Sequence, residues 1–146
     1  MTTARLLGWV EGIIDGEGCL GFYKMVTTKN TIRGFVWVPK LVVANTDKQI
    51  MDTVASVLGG IVRERKVYEN RKPLFEITLS SNRLREVLPI LKLVGKERQR
   101  KLLLEALDLV SENFASRRTG RRGSAGPNDT RLEEIWTEMR TLNRRG

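Results

Sequence analysis

Three glycines spaced four residues apart inside an apolar segment constrain this chain more than any other feature. Residues 5–17 have helical periodicity: at about 100° per residue, Leu6, Leu7, Val10, Ile13 and Ile14 share one arc, while Gly8, Gly12 and Gly16 line up on another. An interior glycine costs a helix about 1 kcal/mol relative to alanine, so a stripe of three persists where something packs against the backbone itself. The natural partner for such a stripe is an identical helix. Similar stripes occur in membrane helices, but this segment is too short and too charged to span a bilayer. A soluble homodimer is therefore expected, meeting through Gly8, Gly12, Ile13, Asp15 and Gly16.

The same helix carries acids that its own stability does not explain. Glu11, Asp15 and Glu17 occupy the last two turns, where the macrodipole disfavours anions, and Glu11 with Asp15 is a like-charge i, i+4 pair. If the helix is regular to its end, Glu17 projects on the side of the apolar arc beside Gly18, and a symmetric partner brings a second Glu17 nearby. Two carboxylates in a dry site repel each other until a hard cation neutralises them, and Mg²⁺ is the usual choice. The plainer alternative is that Glu17 ends a buried helix at the surface.

Composition narrows the chemistry. Histidine is absent and Cys19 is the only cysteine, which excludes zinc fingers, disulfide frameworks, Cys-His pairs and any nuclease with a histidine base. Hydrolysis must then rely on carboxylates, lysine and metal-bound water. With 26 Lys and Arg against 17 Asp and Glu, the net charge of +9 favours a polyanionic partner. Charge alone does not separate DNA from RNA or from an anionic membrane. No signal segment or apolar run of spanning length is seen, so a soluble, intracellular protein without a membrane partner is expected, its compartment open.

After the first helix, 19–28 and 33–44 have the character of strands joined by the turn Lys29-Asn30-Thr31. Asn45-Thr46-Asp47 offers N-cap chemistry for a helix with Ile50, Met51, Val54, Val57 and Leu58 on one face, closed by Gly59-Gly60. Strands over 61–69 and 74–79 follow, then a short helix capped by Ser80 or Ser81 and a longer one over about 96–114. The second α-ββ unit has no matching glycine helix, so each chain holds one site helix. Residues 116–128 combine four arginines with loop formers and are expected to link domain 1–115 to a final helix in 129–146. Thr130 and Glu133 form a capping-box pattern for that helix, whose Leu132, Ile135, Trp136, Met139 and Leu142 form a face expected to dock on the core. Trp9, Trp37 and Trp136 sit in apolar periodic contexts and are read as core or interface anchors.

The segment Val10-Glu11-Gly12-Ile13-Ile14-Asp15-Gly16-Glu17-Gly18 resembles the motif of the LAGLIDADG homing endonucleases, with Gly12, Asp15, Gly16, an acid and Gly18 in register. Phe22, Asn45-Thr46-Asp47, Gly59-Gly60, and Lys96 beyond Pro89 also stand where the family pattern has similar features, so the resemblance covers nearly all of 5–114. The closing Leu142 to Gly146 is similar too. Val10 and Glu11 replace the family's leucine and alanine, and Glu17 stands where aspartate is also common.

The resemblance implies an α+β, αββαββα fold with an antiparallel sheet saddle and helices packed on one face. Its implied activity is that of an intron-encoded, site-specific DNA endonuclease: a homodimer that hydrolyses both strands of a long, near-palindromic target across the minor groove. Glu17, helped by the Gly18 carbonyl, is expected to hold Mg²⁺, which lowers the pKa of the attacking water and stabilises the leaving oxygen. By resemblance Asn45 positions that water and Lys96 stabilises phosphate charge. Position alone also allows Asn45 to be only a helix cap, and Lys96 a solvated lysine at a helix start.

Strand alternation puts Phe35, Trp37, Leu41 and Val43 on one face and Val36, Val38, Lys40 and Val42 on the other, and both faces are partly apolar. The family register turns the Val38 and Lys40 side to DNA, with Tyr23, Met25 and Thr27 of the first strand and Arg63, Arg65 and Val67 of the third. Arginines there suit guanine, and apolar groups suit thymine methyls. Arg33, Lys72, Arg117, Arg118, Arg121 and Arg122 have the character of phosphate contacts, although a merely solvated basic face accounts for many such residues. Two rivals remain: a maturase that binds its intron RNA, and a non-cleaving DNA-binding protein on the same scaffold.

Overall fold

The computed structural model describes residues 2–27, 34–66, 69, 71–115 and 126–144. Arg33, Val67, Arg117, Arg118, Arg121 and Arg122 lie outside them, as does most of the 116–128 segment. Five helices and four strands are found among the described residues: α1 (Thr3–Glu17), β1 (Cys19–Val26), β2 (Phe35–Asn45), α2 (Lys48–Leu58), β3 (Arg63–Arg65), β4 (Leu74–Ser80), α3 (Ser81–Val87), α4 (Glu97–Ala115) and α5 (Asp129–Arg144). The strands form one antiparallel sheet in the order β1-β2-β4-β3, so the fold is α+β as expected. By contact the chain divides into two compact units.

The first unit comprises Met1–Cys19 and Leu41–Glu97. Thr2 caps α1 by accepting a hydrogen bond from the Arg5 amide, so the helix begins two residues earlier than its periodicity suggests. Within it only Val10 and Ile14 are buried, whereas Leu6, Leu7 and Ile13 stay half-exposed. Asp47, not Asn45, is the N-cap of α2: its carboxylate accepts from the amides of Gln49 and Ile50. Met51, Val54 and Leu58 are the buried face of α2. Gly59 and Gly60 follow with φ of 81° and 91°, a left-handed region that side-chain-bearing residues seldom enter. In β4, Ile77 and Leu79 are buried, which turns Leu74, Glu76 and Thr78 to the opposite face.

Among the described residues, strand β3 covers three positions of the 61–69 run anticipated, pairing with β4 through Arg63 with Glu76, Glu64 with Phe75 and Arg65 with Leu74. It is the edge of the sheet, all three of its residues are exposed, and Ile61 is exposed as well. A short, charged edge limits pairing with other chains, which is one physical reason for it to stop there.

The second unit comprises Leu20–Lys40 and Arg98–Gly146. Leu20, Phe22, Trp37, Leu102, Leu103, Ala106, Leu107, Leu132, Ile135 and Met139 are its buried apolar side chains. The Phe22 and Trp37 rings stack at 5.1 Å, and Phe35 meets Trp37 edge-on at 5.0 Å. Lys24 ends this inward row of β1. Its ammonium lies 4.3 Å from the centre of the Trp136 ring, also faces Phe35 and Trp37, and pairs with Glu133 at 2.6 Å. One cation thereby ties α5 to β1 through ring faces and a carboxylate at once.

The start of α5 differs from the capping box anticipated. Asn128 supplies the first helical carbonyl, to the Leu132 amide, so Thr130 already lies inside the helix and Glu133 is spent on Lys24. Anchoring comes instead from Asp129, whose carboxylate accepts from Trp37 Nε1, Asn113 Nδ2 and the Gly126 amide. Asn113 is almost fully buried, and its carbonyl accepts from the Asn128 amide. Arg131 grips Glu105 through two nitrogens, at 2.6 and 2.9 Å, and holds that carboxyl below the usual carboxylate range. No helix among the described residues is long and apolar enough to cross a membrane.

Candidate functional site

The acid that ends α1 is met by a side chain from the end of β2. Glu17 is exposed, and its Oε2 accepts a 2.6 Å hydrogen bond from Asn45 Nδ2. Asn45 is itself braced, because its Oδ1 accepts from the Asp47 amide at 2.8 Å as the chain turns into α2. Both ends of the Asn45 amide are thus committed, which orients the Glu17 carboxylate before anything binds. Asn45 is not the helix cap that position alone allowed.

Lys96 reaches the same helix end from the turn ahead of α4. Its ammonium donates to the carbonyls of Ile14 at 3.0 Å and Asp15 at 2.8 Å. These carbonyls belong to the last turn of α1, where the macrodipole is negative and a cation is favoured. The side chain is half-buried rather than solvated. Asp15 turns its carboxylate to that same turn, accepting from the amides of Val94 at 2.8 Å, Gly95 at 3.1 Å and Lys96 at 3.1 Å. Glu11, one turn earlier, accepts from the Lys92 amide. The two acids that stability left unexplained are therefore engaged with backbone N–H groups of residues 92–96.

Glycine positions on α1 behave as a stripe. Among the described residues, a Cβ added at Gly8, Gly12 or Gly16 would meet nothing within 4 Å outside its own helix backbone, whereas one at Gly18 would come within 2.8 Å of the Ile14 carbonyl oxygen. Gly18 is needed by the chain's own backbone; the other three are not. No group of three or more His, Cys, Asp or Glu side chains able to hold a metal occurs among the described residues. Glu17 and the Gly18 carbonyl are oxygen donors, of the kind Mg²⁺ prefers, and a single chain supplies one such carboxylate.

The candidate nucleic-acid residues are described unit by unit. In the first unit, Arg63 and Arg65 of β3 are exposed and share with Glu76 the face turned away from Ile77 and Leu79. Arg65 and Glu76 approach to 3.7 Å. Glu76 did not emerge from reading the sequence, though strand alternation against Ile77 and Leu79 places it. Lys72 is exposed in the segment before β4. In the second unit, Tyr23 and Met25 are exposed on β1, Thr27 is half-exposed just after it, and the Lys40 ammonium lies 5.6 Å from the centre of the Tyr23 ring. Val38 and Lys40 of β2 are half-exposed while Trp37 is buried, so this side of the strand is the outward one.

This is an α+β fold with an acid, an amide and an ammonium gathered at the end of its first helix. It is the fold of the LAGLIDADG homing endonucleases. I-CvuI, solved in complex with the I-CreI target, matches with a TM-score of 0.70 at 20% identity, over 96% of this chain and 83% of that one. I-TnaI matches at 0.68 and 19% identity, over 94% and 93% of the two chains. I-CeuI, a group I intron-encoded homing endonuclease complexed with DNA, matches at 0.72 and 16%, over 95% and 68%. Neither a protein-family model nor a curated protein matches the sequence.

Proposed function

We propose that this chain is a site-specific DNA endonuclease that acts as a homodimer and hydrolyses phosphodiester bonds with a divalent cation, Mg²⁺ by preference. The observation that carries the reading is the Glu17 carboxylate held by Asn45 at the end of a helix whose glycine stripe is open to a second copy. Similar folds bind DNA: I-CvuI has been solved on DNA with Mg and with Ca, and I-CeuI is complexed with DNA.

Glu17 and the Gly18 carbonyl of each subunit would hold the cation, and when bound it supplies positive charge against the scissile phosphate. The work of the chain's own residues is positional. Asn45 keeps the Glu17 carboxylate pointed at the site, and because an amide nitrogen carries two hydrogens it can hold a water at the same time. Lys96 has three N–H donors; two meet α1 carbonyls, and the third would be left for a phosphate oxygen. Arg63, Arg65, Tyr23, Met25, Thr27, Val38 and Lys40 would meet bases, with Lys72 on the phosphates. Val67 would join the bases, and Arg33 and the 117–122 arginines the phosphates; these lie outside the described residues.

A plasmid library carrying randomised inserts tests this reading. Incubation with Mg²⁺ is expected to yield double-strand breaks at one recurrent, near-palindromic sequence, and incubation with Ca²⁺ or EDTA to yield none. Absence of breaks across the library in Mg²⁺ or Mn²⁺ would contradict it.

A further inference from the structure

We infer that Glu11 and Asp15 are positioning residues for Lys96, clasping the turn that carries it onto the end of α1. The inference rests on the nuclease reading above and adds to it how the lysine is placed. Residues 92–96 contain no regular structure of their own; buried Leu93 anchors the segment at one point, but Val94 beside it is 92% exposed and Gly95 has no side chain to pack. Beyond Leu93, the backbone of 94–96 takes its position from hydrogen bonds. Two acids on successive turns of one helix face provide four of these: Glu11 to the Lys92 amide, and Asp15 to the amides of Val94, Gly95 and Lys96. The Lys96 ammonium returns the contact by donating to the Ile14 and Asp15 carbonyls.

Closing the loop in both directions makes the geometry definite. The carboxylates fix the backbone of the turn, and the ammonium fixes the side chain two residues short of Glu17 in sequence. Charged acceptors give stronger hydrogen bonds than neutral ones, which offsets the repulsion between Glu11 and Asp15 and their place in the negative half of the helix. An amide at position 15 would keep at most the two bonds that Oδ1 accepts from Gly95 and Lys96 and would set a donor against the Val94 N–H, so Asn does not retain the full clasp. Gln at position 11 keeps an acceptor but loses the charge. Neither acid touches the substrate in this scheme; both act through Lys96.

The test is a double-mutant cycle on cleavage of the site recovered from the library, with dimer mass and DNA affinity in Ca²⁺ measured alongside. Asp15→Asn is expected to slow single-turnover cleavage by about 100-fold, the cost of misplacing a catalytic group by about 1 Å, and Glu11→Gln by about 10-fold, with affinity unchanged. In a Lys96→Ala background each substitution is expected to change the rate by less than about twofold, because the group they position is gone. Exchange of the Val94, Gly95 and Lys96 amides with solvent should rise in Asp15→Asn and not in Lys96→Ala. Losses that multiply with Lys96→Ala, or slow exchange retained in Asp15→Asn, would overturn the inference while leaving a cutting wild type intact. Should Asp15→Asn fail to fold, Glu11→Gln decides the cycle alone. A wild-type protein that cuts nothing would instead remove the nuclease reading, and this inference with it.

Discussion

Gly12→Leu is expected to leave the isolated chain folded and to abolish both self-association and DNA cleavage. Among the described residues, nothing beyond the helix's own backbone lies within 4 Å of a Cβ at this position, so the side chain can leave the helix without an intramolecular clash. Leucine is also a better helix former than glycine by roughly 1 kcal/mol, so the melting temperature of a monomer should stay level or rise. A second copy of α1 approaching along the stripe would meet a branched side chain instead of bare backbone, and the close contact would be lost. Sedimentation and thermal melting of the same sample separate the two effects. Retained dimerisation and cleavage would show that the stripe faces no partner.

Glu17→Gln is expected to reduce cleavage in Mg²⁺ by at least about 1000-fold while leaving DNA affinity in Ca²⁺ within a few-fold of wild type. The amide fits the same space and can still meet Asn45 after one of the two amides turns over, so fold and orientation should survive. What is lost is the anionic charge that a hard cation requires. Gel-based cleavage and binding on one duplex check both halves of the expectation. Full cleavage by this variant would remove Glu17 from the metal site; a variant that promoted intron splicing as well as the wild type does would favour the RNA-binding rival.

Element order was legible because it follows from local periodicity; alternation divided β2 into two faces, both partly apolar, and the family register said which one turns outward. Trp37, Leu41 and Val43 alternate along β2, Met51, Val54 and Leu58 recur along α2, and Gly59-Gly60 ends that helix with the positive φ only glycine adopts readily. Position 17 was legible as an acid at a helix end. Its contact with Asn45, 28 residues later, was not, because spacing carries no information on how β2 returns to α1. Glu11 and Asp15 were legible only as an anomaly: two like charges where the macrodipole opposes them. Their partners, the amides of residues 92–96, lie 79 to 81 positions away, and backbone donors leave no mark in the side-chain sequence. The capping box at Thr130 misled for a related reason. Glu133 found a tertiary cation, Lys24, and the local pattern lost to it. At β3 an edge position and four exposed charged residues, Arg63 to Lys66, cut short a run that β-propensity alone would have extended.

Native mass spectrometry of the protein on a single copy of its target duplex addresses the pairing of two α1 helices most directly. The account predicts a complex holding two 16.6 kDa chains per duplex at the lowest concentration that cuts, and no cutting complex with one. A single chain bound to the duplex and competent to break both strands would contradict it.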